Sequence, residues 1–138
     1  MRGSSEEAEL KEKQVYFVDL PGYGHAEVPK ALRRHWDKLL SSYLLEREAI
    51  AVLALMSDCR RALSNDEEWF LGLDIPAHKL LVLTKADKLS ANKRRGLRQS
   101  AASYLDVSAD SVFLTSAGAK QKLGVSELAA KIGAILSP

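Results

Sequence analysis

The sequence predicts an α/β fold with a mostly parallel sheet. Several short apolar runs are continuous rather than alternating, and segments of helical period separate them. The composition is that of a folded chain, with 46% hydrophobic and 28% charged residues over 138 positions. Consecutive apolar positions suit strands covered on both faces, and parallel strands need right-handed crossovers, which helices supply. One domain suffices, because single cores commonly cover ~100–200 residues.

Residues 1–13 read as a charged tail: Glu6, Glu7, Glu9 and Glu12 stand beside Lys11 and Lys13, without the apolar core of a signal peptide. Val15-Tyr16-Phe17-Val18-Asp19-Leu20 is rich in β-branched and aromatic residues and stops at Pro21-Gly22, which predicts a strand ending in a turn. From Pro29 onward Leu32, Trp36, Leu39, Leu40, Tyr43 and Leu44 recur at helical spacing, and Pro29 suits a first helical turn. Ile50–Met56 is continuously apolar and predicts a second strand. Ser64 or Asn65 can cap a short helix through Trp69, Phe70 and Leu71, with Asp66, Glu67 and Glu68 favourably placed in its first turn. Leu80–Thr84 predicts a third strand, about Ala91 to Leu105 a helix, and Val112–Thr115 a fourth strand. Val125–Leu136 predicts a last helix that buries Leu128, Ile132 and Leu136.

Charge and cysteine content narrow the function. A formal charge of +2 is far from that of a polybasic nucleic-acid binder. The lone Cys59 forms no internal disulfide, no CxxC or Cys/His cluster offers a zinc site, and a reducing cytoplasmic setting fits best. A thiol-enzyme reading of Cys59 with His25, His35 or His78 lacks any sequence feature that brings a base near the thiol. No apolar run approaches the ~20 residues of a membrane span, so no membrane partner is expected.

In sheets of this kind ligands bind beyond the C-terminal strand ends. After the first predicted strand stands Asp19-Leu20-Pro21-Gly22-Tyr23-Gly24; after the third, Thr84-Lys85-Ala86-Asp87-Lys88-Leu89; after the fourth, Thr115-Ser116-Ala117-Gly118. Asp19 can hold a metal-bound water while the Gly22 amide approaches a phosphate oxygen that no side chain obstructs. The Asp87 carboxylate can accept from two adjacent N–H groups of guanine, for which adenine has no matching pair. The Lys85 stem can cover the base plane, and the backbone near Ser116-Ala117 can contact the base oxygen. Taken singly, these are also a Pro-Gly turn and a capped strand-to-helix loop; their order at successive strand ends makes the match specific.

From Val15 to Pro138 the sequence resembles the EngB (YihA) family of GTP-binding proteins, within the TrmE-Era-EngA-EngB-septin-like GTPase superfamily. Asp19–Gly24 is similar to its third G motif, Thr84–Leu89 to its fourth, which typically opens with threonine in this family, and Thr115-Ser116-Ala117 to its fifth. Trp36, Ser57-Asp58-Cys59-Arg60 and Asp74-Ile75-Pro76 add matches outside the motifs. The resemblance implies a Ras-like P-loop GTPase fold of three layers, GTP/GDP binding, Mg2+ dependence and a role in assembling the large ribosomal subunit and in bacterial cell division. It implies nucleotide contacts at Asp19, Gly22, Thr84, Lys85, Asp87, Thr115, Ser116 and Ala117, with Asp19 reaching Mg2+ through water, and a monomer if the protein is complete. Tyr23 takes the position of the water-orienting glutamine of Ras-like GTPases, which implies slow hydrolysis, although a tyrosine that simply packs over the turn fits the residue equally well. His25 is a nearby polar group, though a solvated loop histidine fits it as well.

No G-x-x-x-x-G-K-[ST] occurs in the 138 residues; Gly118 to Gly124 has the wrong spacing and lacks the Lys-Ser/Thr pair. In the family this phosphate loop follows a first strand upstream of the Val15–Leu20 counterpart, and a βαβ unit takes ~30 residues or more. The expectation is a partial G domain over 14–138 that lacks the first strand, the P-loop and the first helix, a shortened form with impaired phosphate binding and no GTPase activity alone. The missing strand would lie between the counterparts of Val15–Leu20 and Ile50–Met56, leaving a gap of ~9–10 Å that must be closed by rearrangement, be filled by another segment, or leave an unstable protein. The competing expectation is a nucleotide-independent module that docks on ribosome, RNA or protein. For it Lys93, Arg94, Arg95 and Arg98, with Arg33, Arg34 and Lys38, could contact phosphates, although solvated helix faces explain the same charges.

Overall fold

The computed structural model describes residues 14–20, 30–118 and 122–137, and only the backbone at 30–33 and 36. The tail over 1–13 and the expectations placed on Pro21, Gly22, Tyr23, Gly24, His25 and Pro29 lie outside the described residues.

The elements are α1 (Lys30–Glu46), β1 (Val52–Asp58), α2 (Asn65–Leu71), β2 (His78–Thr84), α3 (Ala91–Arg94), α4 (Leu97–Leu105), β3 (Val112–Leu114) and α5 (Val125–Leu136), with single 3-10 turns at Ala86–Lys88 and Ala109–Ser111. The three strands pair in parallel in the order β1-β2-β3. Each crossover carries helix, as parallel pairing requires. Register sets Met56 beside Val82 and Val82 beside Phe113. β2 is covered on both faces, with Leu80, Leu81, Val82 and Leu83 all buried, which is why its sequence is apolar without alternation. Among the described strands β1 lies at the sheet edge, and Met56 is 60% exposed where its neighbour Val82 is fully buried.

The core forms two clusters. Leu81, Leu83 and Val112 pack with Leu71 of α2, Ala101, Ala102 and Leu105 of α4, and Cys59. Leu44 of α1 and Leu53 of β1 pack with Phe70 and Ala77, flanked by Leu20, Leu40, Tyr43 and Ile50. Ser64 caps α2: its side chain accepts from Asp66 N–H, and the Glu67 side chain returns to the Ser64 N–H in a reciprocal box.

Four expectations are corrected. Val15–Leu20 forms no sheet ladder, and Tyr16 and Phe17 are largely exposed, Phe17 at 86%. Strand propensity expresses itself through neighbours, and no described strand adjoins this run; its last residue, Leu20, packs against the Leu44–Leu53 cluster instead. The helix expected over Ala91–Leu105 breaks into α3 and α4 at Arg95-Gly96, where Gly96 takes φ +82°. In α5, Leu128, Ile132 and Leu136 are half-buried rather than buried. The second strand also starts two residues later than expected, at Val52, with Ile50 packing just before it.

Candidate functional site

The C-terminal ends of β1, β2 and β3 lie side by side, so the residues that leave them meet. Beyond β2, Thr84 is stapled to the end of β1: its Oγ1 donates to the Ser57 carbonyl at 3.2 Å, and its own carbonyl accepts from Cys59 N–H at 3.0 Å. Ala86 N–H donates to the Thr115 carbonyl at 3.0 Å and Thr115 N–H to the Leu83 carbonyl at 2.8 Å, which fastens the loop after β2 to the exit of β3. Beyond β3, Ser116 and Leu123 exchange N–H···O bonds at 3.0 and 3.1 Å in an antiparallel bridge.

Two expected residues meet directly on this frame. The buried Ser116 hydroxyl donates to Asp87 Oδ1 at 2.8 Å, and Gly118 N–H donates to the Ser116 Oγ at 3.4 Å. Lys88 Nζ stands 3.7 Å from Asp87 Oδ2. The Ser116 hydrogen bond, with help from Lys88 and against some burial, lowers the Asp87 carboxyl pKa, so Asp87 is an anion at neutral pH. A carboxylate has about four acceptor positions, and one hydroxyl leaves room for two further N–H donors. Gly118 lies against this flank: a Cβ added there would sit 3.7 Å from Asp87 Oδ2, in ordinary contact.

On the other side, Asp58 ends β1 and gathers cations. Arg60 grips it with Nε to Oδ1 at 3.0 Å and Nη2 to Oδ2 at 2.7 Å, and adds its backbone N–H to Oδ1 at 3.0 Å. Lys85 Nζ reaches Asp58 Oδ2 at 3.1 Å. The Arg60 hydrogen bonds, with Lys85 behind them, outweigh burial and hold Asp58 far below the usual carboxylate range. Cys59 next to it is buried, and burial together with the Asp58 charge raises its pKa, so it rests as a neutral thiol that packs in the core.

The structure thus brings together Thr84, Lys85, Asp87, Thr115 and Ser116, with Ala117 exposed beside them. Asp19 is exposed and follows a run that is no part of the sheet, while Gly22 and Tyr23 lie outside the described residues. Among the described residues no three His, Cys, Asp or Glu side chains cluster as a metal cage would, and no helix is long and apolar enough to cross a membrane. The basic residues of the helix after β2 are partly engaged: Arg98 pairs with Glu127 at 2.7 Å and lies over the Phe113 ring, and Arg94 donates to the Ala86 carbonyl at 3.4 Å. The Asp58 grip on Lys85 was not legible in sequence, because only the β1–β2 register sets Asp58 beside Thr84.

No family model matches the chain. It is 45% identical over 103 residues to a probable GTP-binding protein EngB of Burkholderia pseudomallei, across 69% of this chain and 46% of that one. It is 41% identical over 129 residues to the probable EngB of Thiobacillus denitrificans, across 90% and 61%, and 36% over 132 residues to that of Haemophilus influenzae, across 92% and 63%. The chain therefore spans about half to under two thirds of the length of these relatives. A crystal structure of a probable GTP-binding protein engB superposes with TM-score 0.68 over 84% of this chain and 74% of its own, at 17% identity, a likeness that concerns the fold. With the parallel sheet and the ordered strand-end motifs, these identities place the chain in the EngB family of GTP-binding proteins.

Proposed function

We propose that this chain recognises guanine nucleotides as EngB-type GTP-binding proteins do, and that Asp87 reads the base. One observation carries the reading: the Asp87 carboxylate is fixed by the Ser116 hydroxyl at 2.8 Å, ionised, and open toward further N–H donors at the strand ends. Two charge-assisted hydrogen bonds to guanine would supply the selectivity, since such bonds contribute about 1.5–3 kcal/mol each. Thr84 holds the loop, the Lys85 stem meets the ring face, and the Ser116-Ala117 backbone meets the base oxygen.

In the same reading residues 14–138 are a partial G domain and 1–13 a charged tail. Asp19 would hold Mg2+ through water, a mode that fits a single carboxylate because Mg2+ keeps several waters and takes phosphate oxygens as well. Gly22 would face the terminal phosphate, and Tyr23 would stand where a water-orienting side chain is needed. No G-x-x-x-x-G-K-[ST] occurs in the chain, so the amide cradle and lysine that stabilise the β- and γ-phosphates have no counterpart here. Base recognition then carries the affinity, and GTP hydrolysis by this chain is absent or slow. A cytoplasmic role in large-subunit ribosome assembly and bacterial cell division, as a monomer if the protein is complete, finishes the proposal by family.

Displacement of a fluorescent GDP tests it. GDP is expected to compete and ADP not, with affinity weaker than micromolar. Asp87→Asn, which replaces one acceptor oxygen with a donor amide, is expected to lower GDP affinity roughly 10- to 100-fold. Equal competition by ADP and GDP refutes guanine recognition, and micromolar or tighter GDP binding refutes the impaired phosphate grip.

A further inference from the structure

Asp58 has no place among the residues that read guanine, yet the strand-end geometry turns on it. Its side chain is only 11% exposed, and the Arg60 fork spans both of its oxygens. Lys85 leaves β2 in the left-handed region, at φ 59° and ψ 32°, a conformation that a non-glycine residue adopts only when its surroundings hold it. Its ammonium goes to Asp58 at the end of β1, while Asp87, two residues later, goes to Ser116 beyond β3. The loop after β2 therefore sends its lysine to one side of the strand end and its carboxylate to the other.

From this we infer that Asp58 is a positioning residue for purine binding, tethering the Lys85 ammonium so that the methylene stem forms a platform for the face of the ring while Asp87 takes its edge. The identity of the base rests on the guanine reading above; the tether does not. Exposed ion pairs are weak partly because two long side chains must be ordered. Here Arg60 has already fixed the acceptor, so only the lysine has to be ordered. A paired ammonium is also easier to cover with an apolar ring than a free one, since less uncompensated charge loses water. A face platform stabilises every purine alike, which separates the Asp58–Lys85 function from edge reading by Asp87.

The test uses the full chain with Asp58→Asn. Without nucleotide, acylation of lysines by an amine-reactive ester is followed by mass spectrometry. Lys85 is expected to react about fivefold faster in the variant, as a freed amine does, while Lys93 stays unchanged. Should Asp58→Asn fail to fold by circular dichroism, Lys85→Met replaces it: the Asp58 carboxyl, titrated by 13C NMR, is expected to move up modestly, with Arg60 still holding it below the ordinary range. With nucleotide, Asp58→Asn is expected to weaken GDP and inosine diphosphate by the same factor, about fivefold, leaving their ratio unchanged. Equal Lys85 reactivity in wild type and variant, or an unmoved Asp58 titration in Lys85→Met, overturns the tether. Unchanged affinities, or a changed ratio between the two nucleotides, overturn the platform. If wild type fails to prefer GDP over ADP while Lys85 still responds to Asp58→Asn, the guanine reading falls and the tether stands.

Discussion

Glu67 is a buried carboxylate that stays charged, and its partners explain how. Burial pushes its pKa up, but the Ser64 hydroxyl at 2.6 Å, the Ser64 N–H at 2.8 Å and the Ser57 hydroxyl at 3.1 Å together bring it below its ordinary value near 4.5. A folded-state pKa that is depressed contributes stability above the unfolded value, and that contribution is lost as pH falls through the folded value. Glu67→Gln is therefore expected to be less stable than wild type at pH 7 by about 1–2 kcal/mol, from a weakened cap and a poorer partner for Ser57. The gap is expected to narrow as pH drops below about 4.5. Urea unfolding of both proteins across that range checks it, and a gap independent of pH refutes the assignment. Of this network a cap at Ser64 or Asn65 and the acidic first turn of α2 were legible in sequence, and the structure decides for Ser64. The Ser57 contact was not, because it depends on how α2 packs against β1 rather than on local spacing.

At the scale of elements, the start of α5 is tied to the exit of β3. Gly124 takes φ 63°, and a Cβ added there would lie 2.0 Å from the Leu114 carbonyl oxygen, so backbone conformation and space both require glycine. The adjacent Leu123 bridges to Ser116, so this close approach also holds the residue that orients Asp87. Gly124→Ala is expected to destabilise the protein by about 2 kcal/mol or more, read as a lower urea midpoint. An unchanged midpoint would mean that the β3–α5 junction yields freely. Helical period and capping residues located α1, α2 and α5 correctly, since those signals are local. The break between α3 and α4 and the unpaired Val15–Leu20 run were misread, because Gly96 is tolerable inside a helical pattern and a strand is defined by a partner rather than by its own residues.

Over the whole molecule, stability is expected to fall away from β2. Its side chains are buried on both faces and its backbone pairs with strands on both sides, whereas β1 has one described neighbour and Val15–Leu20 has no ladder. Hydrogen exchange is expected to be slowest at the β2 amides, faster in β1 and near the unprotected rate over Val15–Leu20. Protection of Val15–Leu20 equal to that of β2 would show that the run is paired. The sequence by itself determined the α/β class, the parallel sense of the sheet, the EngB resemblance and the presence of Asp87, Ser116 and Lys85 at strand ends, because periodicity, turn residues and motif spacing are local. Tertiary structure alone decided that Ser116 orients Asp87 from 29 residues away, that Asp58 takes hold of Lys85, that Val15–Leu20 stays out of the sheet and that α5 is only half-buried. Each of these depends on which strand ends register lays side by side and on which faces find a neighbour, and no local pattern encodes that.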